Sequence, residues 1–283
     1  MQDAFSHCEL LVRSSDKDRY LATLFAPAKY RRALFALYAF NFEIARVREL
    51  ARESMPGEIR IQWWADLVGG ASRGDVSANP VAAALRDVIV RFRLPPKILA
   101  GLIEARRFDL YDEPMASLSA LEDYAEQTSS SLIELAARIL ADGRDPDIAE
   151  FARHAGIAYA MAGLLRAFPI HAARRQLYIP LEILERYHAR ADDIFAKKTT
   201  LELRAALAEF RLHARKHLSA ARALTNNLAA AVAPAALPVA LVRPTLARME
   251  RRFYRPFGPP ELSQWRRQWI LWRAARTGLA RAL

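Results

Sequence analysis

Residues 31–52 read RRALFALYAFNFEIARVRELAR, and their spacing predicts one long helix. Ala33, Leu34, Leu37, Tyr38, Phe40, Ile44 and Val47 recur at helical intervals. Side chains three and four positions apart share one face of an α-helix, so this stripe has to be buried against other helices.

The same pattern continues outward in both directions. Ile61, Trp63, Trp64 and Leu67 form a second stripe over 59–68, punctuated by Gly69, Gly70 and Gly74. Asn79-Pro80 opens a helix to about Phe92, and Pro95-Pro96 opens the next, to about Tyr111, because proline suits a first turn. Residues 121–140 read as a helix with Ser119 as N-cap and Glu122 three positions on. A further helix over 148–168 is expected to end at Pro169, which lacks an N–H and clashes with the carbonyl four residues back. Shorter or longer helices follow over 180–187, 200–233, 244–254 and 263–283. The apolar run 228–242 is too short to span a bilayer and is broken by Pro234 and Pro238, which predicts a loop or helix junction packed on the core.

Bulk properties agree with an all-α protein. The 283 residues are 53% hydrophobic, enough for a sizeable core, and glycine is scarce at ten. Alanine, leucine and arginine, all good helix formers, dominate, and no stretch alternates with the period of a strand. No linker or repeat divides the chain, so one domain over 1–283 is expected. The lone cysteine, Cys8, excludes a disulfide framework and suits a reducing, cytoplasmic setting. Residues 1–11 carry Asp3, His7 and Glu9 and do not have the form of a signal peptide. The net charge of +11 suits an anionic membrane or an acidic partner, or simply a solvated arginine-rich surface. Nucleic acid is not expected, since no basic–aromatic stripe favours it beyond charge alone. Nucleotide-binding glycine motifs and nucleophile elbows are absent.

Two segments carry a resemblance. The first is Tyr38-Ala39-Phe40-Asn41-Phe42-Glu43-Ile44-Ala45-Arg46-Val47-Arg48-Glu49; the second runs from Gly156 to Arg174-Arg175-Gln176-Leu177-Tyr178-Ile179-Pro180. With Gln62-Trp63-Trp64 and Tyr124-Ala125-Glu126, they resemble the squalene/phytoene synthase family over roughly 18–272. That resemblance implies an isoprenoid-synthase-like helical bundle. It also implies a reaction in which magnesium, held by two aspartate pairs on facing helices, draws diphosphate from an allylic substrate. Magnesium requires hard oxygen ligands. Here the four aspartate positions are Ala45, Glu49, Ala167 and His171. The family's arginine falls at Phe42, and its glutamine and asparagine fall at Ala160 and Gly163. Arg166 is the polar member retained, and no Asp or Glu occurs from 155 to 181. No metal and no cofactor are therefore expected.

Ala39-Phe40-Asn41-x-Glu43 with Arg46-Val47 is similar to a non-catalytic branch of the family that assists assembly of respiratory complex I. So are Tyr124-Ala125-Glu126-x-Thr128 with Ser130, and Leu165-Arg166-Ala167-x-Pro169-x-His171. The resemblance implies a pseudoenzyme that helps assemble a respiratory membrane complex, with its subunits or an anionic membrane surface as partners, peripheral to the inner membrane. The alternatives are a divergent, magnesium-dependent prenyltransferase condensing isoprenoid diphosphates, and a lipid- or isoprenoid-binding protein using the old cavity.

Arg166, Arg174 and Arg175 with His171 form a candidate anion site, with Tyr178, Tyr38 and Asn41 as further pocket residues. The competing reading pairs these arginines with Glu43 and Glu49, and Tyr178 reads as core packing. His213 and His217 have metal-ligand spacing but read as part of a solvated basic face. Asp109, Asp112 and Glu113, and Asp192-Asp193, read as helix-end caps. Trp265, Trp269 and Trp272 lie on one stripe among Arg266, Arg267, Arg273 and Arg276, which suits a membrane interface; a core-capping helix is the reading preferred here.

Overall fold

A computed structural model of the chain describes residues 2–51, 53–71, 76–258 and 262–283; Arg52 and Gly74 lie outside them. In chain order the helices are α1 (Gln2–Ser15), α2 (Lys17–Thr23), α3 (Ala28–Ala45), α4 (Val47–Leu50), α5 (Ser54–Val68), α6 (Pro80–Phe92), α7 (Pro96–Ala105), α8 (Leu118–Ala125) and α9 (Ser131–Leu140). They continue with α10 (Ala149–Ala173), α11 (Leu181–Arg186), α12 (Ala191–Phe195), α13 (Leu201–Ala223), α14 (Ala233–Ala236), α15 (Val242–Met249), α16 (Gln264–Thr277) and α17 (Leu279–Ala282). No strand occurs among the described residues, and the protein is all-α.

The helices form two units, neither contiguous in sequence. The first holds residues 1–111, 131–149 and 227–238; the second holds the rest. In the first, α3 is the central element and packs on α1, α6 and α9. Eleven of its eighteen residues are buried, from Tyr30 to Ile44, so it is enclosed on most of its circumference. The expected single helix over 31–52 is interrupted: Arg46 adopts φ −93°, ψ 4°, and α4 starts afresh at Val47. In the second unit α13 packs on α11, α15 and α17.

Capping explains several boundaries. Asn79 Oδ1 accepts from the N–H groups of Val81 and Ala82 at 3.0 and 3.1 Å, and Pro80 takes the first turn of α6. Thr200 caps α13 through Leu203 N–H at 3.1 Å. The cap of α8 is Ser117, not Ser119: Ser117 Oγ accepts from Ala120 N–H at 3.1 Å. Between α8 and α9 the chain makes a π-helical turn, Glu126–Ser130. Helix α10 does not end at Pro169 but runs through it to Ala173. Its buried stripe continues past the proline to Ala172, and Phe168 meets Phe257 at 5.2 Å between ring centroids. Packing on both sides of the proline offsets the lost hydrogen bond.

The run 228–242 is a junction of short helical turns packed on the core, one of the two forms expected, and the helical stretch extends over 230–249. That stretch is long and apolar enough to cross a membrane by length and composition alone, yet it is 61% buried within the protein, as a core helix is.

Candidate functional site

The two motif segments fall in different units, and each presents its own geometry. In the first unit α3 carries Tyr38 and Asn41, both buried. The Arg19 guanidinium lies over the Tyr38 ring, 5.7 Å from its centroid. Asn41 Oδ1 is buried without a hydrogen-bond partner. A buried polar group left unpaired is unfavourable for the fold. Glu43, four residues from Val47, is engaged within its own helix by Arg46, Nη2 to Oε1 2.5 Å.

The motif positions Ala45 and Glu49 stand on either side of the turn at Arg46. Two carboxylates clamp a cation from one helix because positions i and i+4 share a face. In this chain that continuity is broken in the first motif, where it was not foreseen. It is kept in the second, where Pro169 was expected to destroy it: Ala167 and His171 both lie on α10.

In the second unit Arg166, Ala167 and His171 are half-buried, whereas Arg174 and Arg175 are exposed beyond the end of α10. Arg175 has φ 58° and sets its guanidinium 4.5 Å from the Phe195 ring centroid. That stacking occupies its planar face. The three arginines are thus not one cluster of equals. His171 lies 4.5 Å from Tyr178 and Tyr178 6.1 Å from Tyr124, centroid to centroid, a half-buried aromatic row.

The donor set does not fit a magnesium–diphosphate cluster. Of Ala45, Glu49, Ala167 and His171, Glu49 alone offers a carboxylate oxygen. Among the described residues no group of three His, Cys, Asp or Glu side chains is arranged to hold a metal ion. Nor is there an activated thiol: burial pushes Cys8 up to about 12, which leaves it protonated at neutral pH.

Several secondary candidates take other roles. Asp109 lies in the 3-10 turn Arg106–Leu110 and pairs with Arg106 at 3.1 Å. Asp192 and Asp193 do sit in the first turn of α12, and Asp193 also meets Lys198 at 3.2 Å. The α13 face with His213 and His217 is not simply solvated. Arg215 forks onto Glu250 at 2.6 and 2.5 Å, and His217 is buried. His217 Nδ1 lies 3.0 Å from His154 Nδ1, and its Nε2 lies 3.1 Å from Glu122 Oε1. This Glu122–His217–His154 chain ties α8, α13 and α10. Burial, then the charges of His217 and Arg153, hold His154 below the usual histidine range. The sequence disclosed the spacing of His213 and His217 but not His154, which comes from a helix 63 residues away.

The tail also departs from expectation. Helix α16 packs through Leu271 and Ala274, but Trp265, Trp269 and Trp272 are 70, 55 and 42% exposed and cap no core.

The squalene/phytoene synthase family model matches residues 12–273. Assembly factor 6 of NADH dehydrogenase (ubiquinone) complex I from Rattus norvegicus is 30% identical over 257 residues, covering 91% of this chain and 77% of its own length. The protein of the same description from Homo sapiens is 30% identical over 253 residues, covering 89% and 76%. A dehydrosqualene synthase solved with a ligand superposes with a TM-score of 0.83 at 19% identity, covering 98% of this chain and 97% of that one, which establishes the shared fold. Motifs, fold and sequence match converge: the chain belongs to the squalene/phytoene synthase family.

Proposed function

We propose that this protein is a non-catalytic member of its family that assists assembly of a respiratory membrane complex of the complex I type, working at the surface of the inner membrane without a metal or other cofactor. One observation carries the reading: the chain aligns over 91% of its length with a relative described as a complex I assembly factor, while its own motif positions lack the carboxylates that diphosphate chemistry requires. An ionising diphosphate develops charge that oxygen-bound metal ions must neutralise. With Ala45, Ala167 and His171 in three of the four places, Glu49 is the one carboxylate left, too few to hold those ions. What it retains, a buried Tyr38 and Asn41 and a half-buried Arg166, suits recognition rather than bond breaking.

The test has two arms. Purified protein incubated with farnesyl or geranylgeranyl diphosphate and magnesium is expected to give no coupled product. Deletion of the gene in its own host is expected to lower membrane NADH:ubiquinone activity, and the intact gene to restore it. A coupled product that disappears in Glu49→Ala, or an unchanged membrane activity on deletion, would overturn the reading.

A further inference from the structure

In the second unit, α15, α16 and α17 enclose a cavity of about 390 Å³ whose wall holds Arg243, Arg248, Arg251, Arg266, Arg273 and Arg281. Among the described residues no carboxylate lines it. Among the described residues, none of the six makes an ion pair, in contrast to Arg215 on the neighbouring α13. Six guanidinium groups around one cavity repel one another, and each is always charged. Such an arrangement is relieved by an anion that accepts several N–H donors at once, and phosphate oxygens match the guanidinium fork. The wall is not wholly polar. Leu262 is buried, and Ile270 and Ala274 add apolar surface from α16.

The adjoining face is aromatic. Trp265, Trp269 and Trp272 follow one another at i, i+4 and i+7 along α16, all exposed, and Trp269 also lines the cavity. The Trp269 and Trp272 rings stack at 5.1 Å, and Arg276 lies 5.4 Å from the Trp272 centroid. Phe253, between α15 and α16, is 85% exposed beside Arg251 and Arg252. Exposed tryptophans interleaved with arginines are unfavourable in bulk water and stable at a membrane–water interface, where the ring lies at headgroup depth.

We propose that this cavity receives the phosphodiester headgroup of an anionic phospholipid while Trp265, Trp269, Trp272 and Phe253 enter the interface, docking the protein on an anionic bilayer through its C-terminal helices. Charge complementarity selects the headgroup, the apolar patch accommodates the start of the acyl chains, and the net charge of +11 draws the whole chain to the surface. This deepens the membrane-surface part of the function proposed above and rests on it, without depending on which client is assembled.

The experiment uses the full chain with phosphatidylcholine vesicles, with and without phosphatidylglycerol, followed by co-sedimentation and tryptophan emission. Expected are sedimentation with the anionic vesicles only, a blue shift, and quenching by lipids brominated along the acyl chain. Arg266→Glu with Arg273→Glu is expected to lower partitioning about tenfold or more, with circular dichroism unchanged. Trp265→Ala with Trp269→Ala is expected to weaken binding and remove most of the quenching. Equal binding to neutral vesicles, undiminished binding by the arginine variant, or no quenching in the unaltered protein would overturn the proposal. So would saturation by inorganic phosphate that abolishes vesicle binding at matched ionic strength, which marks a free-phosphate site. Binding of a single-stranded oligonucleotide together with no vesicle binding would overturn it in favour of nucleic acid. Vesicle binding that holds while deletion leaves respiratory activity unchanged separates this proposal from the client reading.

Discussion

At the residue scale, Asn41 is the most informative position in the first motif. It lies in a helix whose other buried members are apolar apart from its tyrosine hydroxyls, and its Oδ1 has no internal partner. A buried acceptor left unpaired costs about 1–3 kcal/mol, more than the amide returns by packing. Asn41→Leu, which keeps the branching and the number of side-chain heavy atoms, is therefore expected to raise the thermal midpoint by a few degrees, since about 1 kcal/mol is worth ~2–4 °C in proteins near this size. If the amide serves the assembly role, the same variant loses that activity while gaining stability. Scanning calorimetry and complementation together check this; a lowered midpoint would mean that Oδ1 is satisfied in solution and that Asn41 is structural.

At the element scale, the second unit relies on close approach and on a buried polar chain. A methyl group on Gly156 would collide with the backbone of Ser130, so α10 can press on the π-helical turn only because Gly156 has no side chain. Ser130 Oγ then donates to Arg153 carbonyl oxygen at 2.9 Å, and Arg153 reaches Glu126 at 2.8 Å. Beside this seam the Nδ1 atoms of His154 and His217 lie 3.0 Å apart, a hydrogen bond that needs one of them as donor and the other as acceptor. If both rings become cationic, both Nδ1 atoms are donors and the bond is lost. His154 titrates below its ordinary 6.5, so the unfolded chain binds more protons once pH drops past that value. The stabilisation is complete above pH 6.5 and is lost as pH falls through the folded value. Glu250, held low chiefly by its bond to Arg215, acts the same way only below 4.5. Thermal melts should therefore decline between pH 6.5 and 4.5 in the unaltered protein and flatten in His154→Gln. Equal slopes for the two would place the acid sensitivity elsewhere.

At the scale of the whole molecule, the family's architecture persists while three of the four aspartate positions hold no carboxylate. Restoring four aspartates, through Ala45→Asp, Glu49→Asp, Ala167→Asp and His171→Asp, is expected to yield no more than trace turnover of farnesyl diphosphate. The first pair would still straddle the turn at Arg46, and Phe42, Ala160 and Gly163 would still offer no polar group. Every ~1.4 kcal/mol of transition-state stabilisation lost lowers the rate about tenfold. Product release by coupled assay is the measurement, and robust turnover would show that the frame alone suffices once carboxylates return. The exposed tryptophans and the six arginines that line the C-terminal cavity meanwhile give the molecule a surface for which the motifs have no use.

The sequence by itself determined the helical class, the approximate place of most helices, the family and the missing carboxylates. Those depend on local periodicity, on proline and capping residues such as Asn79 and Thr200, and on residue identity at motif positions. Tertiary structure decided the rest. Pro169 was overruled because buried contacts on both sides outweigh one missing hydrogen bond, while the motif helix broke at Arg46 with no proline or glycine to announce it. His217 found His154 and Glu122 from two other helices, and the six arginines converged from segments that span 39 positions. Spacing along a chain reports which side chains share a helix face; which faces meet, and which remain in water, depends on how the helices pack.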